Sequence, residues 1–134
     1  EPTSGLDPVF RSELLDILYS IIQDEAKAIL FSTHVTTDLE RIADYITFLN
    51  KGKVVFTKPK DEILEEYKLV RGGTDMLTDE LRRHFLGMRL SSHSFNALTT
   101  DPAAVRRLAG DGVRLERATL DDIMVHIVRG ENHV

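Results

Sequence analysis

Short apolar runs alternate with helix-period stretches along the chain, and that alternation restricts it to layered architectures in which helices pack on sheets. Phe10, Leu14, Ile17, Leu18, Ile21 and Ile22 recur at helical spacing after Asp7 and Pro8, a capping residue and a first-turn proline. They predict a helix from about Pro8 to Asp24. Ala28 to Ser32 is a short apolar run that predicts a buried strand, ending at Ser32-Thr33-His34. Thr37 with Glu40 fits a capping box and predicts a second helix from about Thr37 to Asp44. Tyr45 to Leu49 and Lys53 to Thr57 are strand-like, and Asn50-Lys51-Gly52 between them predicts a hairpin turn. A third helix is predicted from about Asp61 to Tyr67.

The remainder predicts a second pattern. Lys68 to Arg71 is strand-like and ends at Gly72-Gly73. A helical stretch covers Thr78 to Phe85, and strands follow at Gly87 to Ser92 and Phe95 to Thr100. Asp101-Pro102 opens a helix that Gly110 stops. Val113 to Arg117 alternates as a strand, and Thr119 with Asp122 opens a last helix with an apolar face. Strand, helix, strand, strand, helix, strand is the ferredoxin-like order, here with one helix added.

At about 150 residues per domain, the 134 residues make one domain or two small ones. Apolar residues at 42% and charged residues at 29% exclude wholesale disorder. A net charge of −5 argues against a nucleic-acid binder, and the absence of cysteine excludes disulfides and thiolate chemistry. No apolar run approaches the roughly 18 residues of a membrane span. No basic-then-apolar leader opens the chain, and there is no initiator Met, so translation is expected to begin upstream. Residues 1–66 hold 7 basic and 13 acidic residues, the basic ones mostly Lys; residues 67–134 hold 10 and 9, the basic ones nearly all Arg. The shift at Tyr67 predicts two segments.

Glu1-Pro2-Thr3-Ser4-Gly5-Leu6-Asp7-Pro8 specifies nearly every position of a known motif. It resembles the end of the Walker B motif and the D-loop of ABC transporter ATP-binding subunits. His34, one helix and one strand later, is similar to the switch histidine of that family. The hairpin from Ile46 to Thr57 fits the same resemblance, which covers about residues 1–66. In the second half, Ala118 to Met124 resembles the terminal helix of an appendage found in bacterial ABC ATPases of the antibiotic-export type.

The resemblance implies catalytic roles for Glu1 and His34. Glu1 would be the general base that orients a water and accepts its proton, and His34 would contact the γ-phosphate. Ser4, Gly5 and Asp7 would belong to the loop that communicates with a partner subunit. Each residue also has a plainer reading. Glu1 can be a solvated terminal carboxylate, Asp7 a helix cap, and His34 a polar residue at a strand end.

The departures matter as much. No G-x-x-x-x-G-K-S/T phosphate loop occurs, and the Walker B aspartate that would precede Glu1 is absent. The resemblance therefore implies a chain cut inside Walker B. The expected fold class is α/β: the truncated C-terminal part of a P-loop NTPase α/β domain (1–66), followed by a small α+β ferredoxin-like accessory domain (67–134). The complete protein would use ATP and Mg²⁺ and couple hydrolysis to transport. It would sit on the cytoplasmic face of the cell membrane, docked on a permease subunit. No cofactor is expected on this chain alone. The alternative is a non-enzymatic regulatory or dimerisation module.

An unpaired edge at Ala28 to Ser32 predicts a homo-oligomer, a dimer, held by the first segment. His84, His93, His126 and His133 show no ligand spacing, so no metal site is expected. Arg82-Arg83 and Arg106-Arg107 can be a basic patch or solvated helix faces. Gly72-Gly73 and Gly110-Asp111-Gly112 can approach a small ligand or simply turn the chain.

Overall fold

The computed structural model describes residues 1–132. It forms two compact units, one from Glu1 to Asp44 and one from Tyr45 onward.

The first unit is a turn followed by two helices. Helix α1 runs Pro8–Ile22, and Asp7 caps it: its carboxylate accepts from the N–H groups of Val9 and Phe10 at 3.0 and 3.1 Å. Such a cap contributes about 1 kcal/mol. Helix α2 runs Thr36–Ile42. The capping box expected at Thr37 and Glu40 does not form. The N-cap is Val35, which offers no side-chain bond, and Thr37 instead accepts from the Arg11 guanidinium at 3.3 Å. The strand expected at Ala28–Ser32 is also absent: the segment has no regular structure, and Leu30 is 100% exposed. A strand needs a neighbour for its N–H and C=O groups, and this unit has no other strand. For the same reason the predicted apolar stripe of α1 stays largely uncovered. Of that stripe, Leu14, Leu18 and Ile22 are half-buried and Phe10, Ile17 and Ile21 are exposed; the one buried residue of α1 is Leu15, outside the predicted stripe.

The second unit begins with the predicted hairpin. Strands β1 (Tyr45–Asn50) and β2 (Lys53–Pro59) pair antiparallel around Lys51-Gly52. Both loop residues have positive φ, 52° and 76°, which is the twist a two-residue hairpin loop requires. Helix α3 (Lys60–Glu66) follows, with Ile63 fully buried. The ring of Tyr67 then packs on Phe56 of β2, which packs on Phe48 of β1.

A four-stranded antiparallel sheet completes the unit. Its strands are β3 (Lys68–Gly73), β4 (Gly87–Leu90), β5 (Ser94–Thr99) and β6 (Val113–Arg117), in spatial order β4-β5-β3-β6. The helix expected over Thr78–Phe85 shrinks to one turn, α4 (Asp79–Arg82), capped by the Thr78 hydroxyl. Helix α5 (Pro102–Ala109) is capped by Asp101 and stopped at Gly110, whose φ is +57°. Helix α6 (Leu120–Asn132) opens on a reciprocal cap between Thr119 and Asp122. One sheet face carries Val70, Phe95, Ala97 and Val113, packed with Leu81 of α4 and Val105 of α5 as the main core. The opposite face carries Leu69 and Leu98, both buried.

Contacts divide the chain after Asp44, while composition changes at Tyr67. The two boundaries mark different things. The hairpin shares the Lys-rich composition of the first segment, yet its aromatic rings pack toward Tyr67.

Candidate functional site

The candidate residues lie in the first unit, on the opening turn and on the segment entering α2. The turn closes through Ser4 N–H to the Glu1 carbonyl at 3.3 Å and Leu6 N–H to the Thr3 carbonyl at 3.2 Å. Gly5 sits at φ +77°, a left-handed conformation glycine adopts without strain. Thr3 is the buried residue of the turn, and its hydroxyl donates to Asp38 Oδ2 at 2.6 Å. Asp38, in the first turn of α2, is 2% exposed and takes both Nε and a terminal nitrogen of Arg11 on Oδ1. One carboxylate therefore ties the opening turn, α1 and α2 together.

That joint brings Glu1 and His34 into contact across 33 positions. The Glu1 amino nitrogen donates to the Ser32 carbonyl. The backbone N–H of His34 donates to Glu1 Oε1 at 3.3 Å, and His34 Nδ1 lies 2.5 Å from the same oxygen. Both side chains are exposed. The hydrogen bond from His34 holds the Glu1 carboxyl below the usual carboxylate range. Near neutral pH Glu1 is thus an ionised acceptor beside an imidazole, open to solvent.

The remaining predicted residues fall on the same turn. Ser4 and Gly5 are exposed, and Asp7 is occupied as the cap of α1. Three residues organise the site without a signal of their own in the sequence: Thr3 enters there only as part of the octapeptide, and Arg11 and Asp38 carry no local signal. Arg11, Thr3 and Asp38 meet across 27 and 35 positions. An Asp in a first helical turn reads as an ordinary helix-dipole residue.

Of the histidines, His126 is buried in α6, His84 is half-buried and His93 is exposed; His133 lies outside the described residues. No helix among the described residues is long and apolar enough to cross a membrane.

No family model matches the chain. A stretch of 68 residues, 49% of the chain, is 41% identical to the lantibiotic transport ATP-binding protein SrtF of Streptococcus pyogenes and covers 29% of it. A stretch of 97 residues, 70% of the chain, is 29% identical to the energy-coupling factor transporter ATP-binding protein EcfA2 of Ligilactobacillus salivarius and covers 34% of it. The EcfA2 of Lactococcus lactis subsp. cremoris is 30% identical over 93 residues, 69% of this chain and 28% of that protein. The chain thus spans about a third or less of these curated relatives. Over about half of its length or more, it is related to the ATP-binding proteins of ABC transporters.

Proposed function

We propose that this chain carries the hydrolytic edge of an ABC-type ATP-binding subunit, which couples ATP hydrolysis to transport across the cytoplasmic membrane. Glu1 is the general base, and His34 is the group that reaches the γ-phosphate. Ser4, Gly5 and Asp7 form the loop that faces a second subunit, in a dimer docked on a permease at the cytoplasmic face. Residues 67–134 form a ferredoxin-like accessory domain. Strand order β4-β5-β3-β6 with antiparallel pairing throughout supports that last reading.

The observation that carries the proposal is the Glu1–His34 contact, formed by the two residues that the resemblance singles out. A carboxylate kept ionised by its neighbour can orient a water and take its proton. ATP and Mg²⁺ fit these residues only in part. The sequence supplies an acceptor and an imidazole for the reacting end, but no glycine-rich loop, lysine or hydroxyl for the phosphates and metal. The chain alone is therefore inactive.

Calorimetric titration of the 134-residue chain with Mg²⁺-ATP tests this, with no saturable binding expected. In a longer protein that includes a phosphate loop, Glu1→Gln retains ATP binding and lowers turnover by roughly 10²–10⁴-fold. Stoichiometric ATP binding by the short chain, or near-normal turnover in the variant, removes the proposal.

A further inference from the structure

The second unit carries a row of cations that the hydrolytic reading does not use. Register places Arg89 of β4, Asn96 of β5, Arg71 of β3 and Arg114 of β6 directly opposite one another, in one line across all four strands. Residues so paired share a sheet face. It is the face whose other end holds the buried Leu69 and Leu98 and meets α6 at Gly87; along the row the three arginines are exposed and Asn96 is half-buried.

Like charges opposite one another are unfavourable in a sheet unless something neutralises them. Glu116 does so in part: Oε2 accepts from Arg71 Nε at 2.8 Å, and Oε1 lies 3.5 Å from an Arg114 nitrogen. One carboxylate is shared between two guanidinium groups, and Arg89 has no ion-pair partner among the described residues.

Room exists beside the row. The next register line holds Ser94 opposite Gly73, and the Ser91 N–H donates to the Ser94 carbonyl. An open depression of about 890 Å³ adjoins the row, lined by Arg71, Arg89, Asn96 and Arg114 together with Ser94, Arg106 and the carboxylate-bearing Asp111. That is within the span of small-molecule sites. At the centre of the row, Asn96 Oδ1 is buried with no hydrogen-bond partner, a state that buried polar atoms rarely keep.

We propose that this face binds a small organic oxyanion, a phosphate ester or a carboxylate, that also presents an O–H or N–H donor to Asn96. Arg89 and Arg71 take the anionic group, since a guanidinium fork matches both oxyanions. The donor satisfies Asn96. A single-stranded nucleic acid fits less well, because sheets that bind it offer aromatic rings for stacking. The single aromatic residue of β5, Phe95, belongs to the core on the other face.

Amide-resolved NMR titration of the 134-residue chain tests the site, with glycerol 3-phosphate, citrate and inorganic phosphate as probes. Saturable shifts are expected at residues 71–73, 89–96 and 112–115. At least one organic anion should bind about tenfold more tightly than inorganic phosphate, and which one does so separates phosphate from carboxylate. Arg89→Gln, at an exposed position without an ion pair, should weaken binding about tenfold or more while leaving the remaining spectrum unchanged. Asn96→Leu should abolish the preference for the organic anion. Absence of saturable shifts, affinity indifferent to Arg89→Gln, or binding of an oligonucleotide without any small-anion response overturns the proposal.

Discussion

The guanidinium of Arg11 meets the carboxylate of Asp38 side-on, with Nε and a terminal nitrogen both on Oδ1 at 2.9 and 2.8 Å. Asp38 is buried and Arg11 is about one-third exposed. Arg11→Ala would leave a buried charge with little beyond the Thr3 hydroxyl. The expected cost is about 2 kcal/mol, below the roughly 3–5 kcal/mol of a fully buried pair because Arg11 is partly solvated. Hydrogen exchange should show α2 losing protection while β3 and β5 keep theirs. Unchanged protection of α2 would mean that the joint is not stabilising.

A second prediction concerns acid sensitivity. Burial holds the His126 imidazole below its ordinary pKa of 6.5; Asp122 opposes this, and Arg129, Arg89 and Arg71 reinforce it. The unfolded chain therefore takes up this proton first as pH falls. Stability contributed here is full above about 6.5 and declines below it, down through the lower folded-state value. His126→Leu should flatten the fall in melting temperature of the second unit as pH drops below about 6.5. An equally steep dependence in the variant would assign the effect elsewhere.

A third prediction tests how closely α6 approaches β4. A Cβ added to Gly87 would lie 2.1 Å from the His126 carbonyl oxygen, and one on Gly130 would lie 1.9 Å from the Leu86 carbonyl oxygen. Backbone cannot yield as a flexible side chain can. Gly87→Ala should therefore cost about 1–3 kcal/mol in thermal or urea unfolding. A neutral result would show that the helix shifts freely on the sheet.

The fourth prediction separates the two boundaries. A chain beginning at Tyr67 keeps all four strands of the larger sheet and should give dispersed amide resonances and a cooperative melt. It loses the ring contact between Tyr67 and Phe56, so it should melt below a chain beginning at Tyr45. A random-coil spectrum from the shorter chain would place the domain start at the hairpin.

Where local chemistry decides structure, the residues were readable. Asp7, Asp101 and Thr119 each cap the helix they precede, and Lys51-Gly52 turns the hairpin; Thr78, read as the first helical residue, is the cap instead. The Glu1 and His34 pairing could be expected only through resemblance, and the structure brings the two together. Ala28–Ser32 misled because an apolar run states a wish for burial, whereas a strand also needs a neighbour to pair with. Thr37 misled because the Arg11 guanidinium takes its hydroxyl. The arginine row was invisible for a related reason. Arg71, Arg89 and Arg114 lie far apart in sequence and become one feature only through antiparallel register.

The two hydrogen bonds on Glu1 Oε1 come from different parts of His34, one from the main chain and one from the ring. Pose and reactivity are therefore separable properties at this position. Any residue other than proline at 34 has the N–H that makes the main-chain grip on the carboxylate, so the direction in which Glu1 points belongs to the peptide scaffold. The larger share of the proton chemistry belongs to the imidazole, with the main-chain N–H lowering the Glu1 carboxyl in the same direction. Lineages that lose the histidine would keep an aimed carboxylate and differ in how strongly it holds its charge.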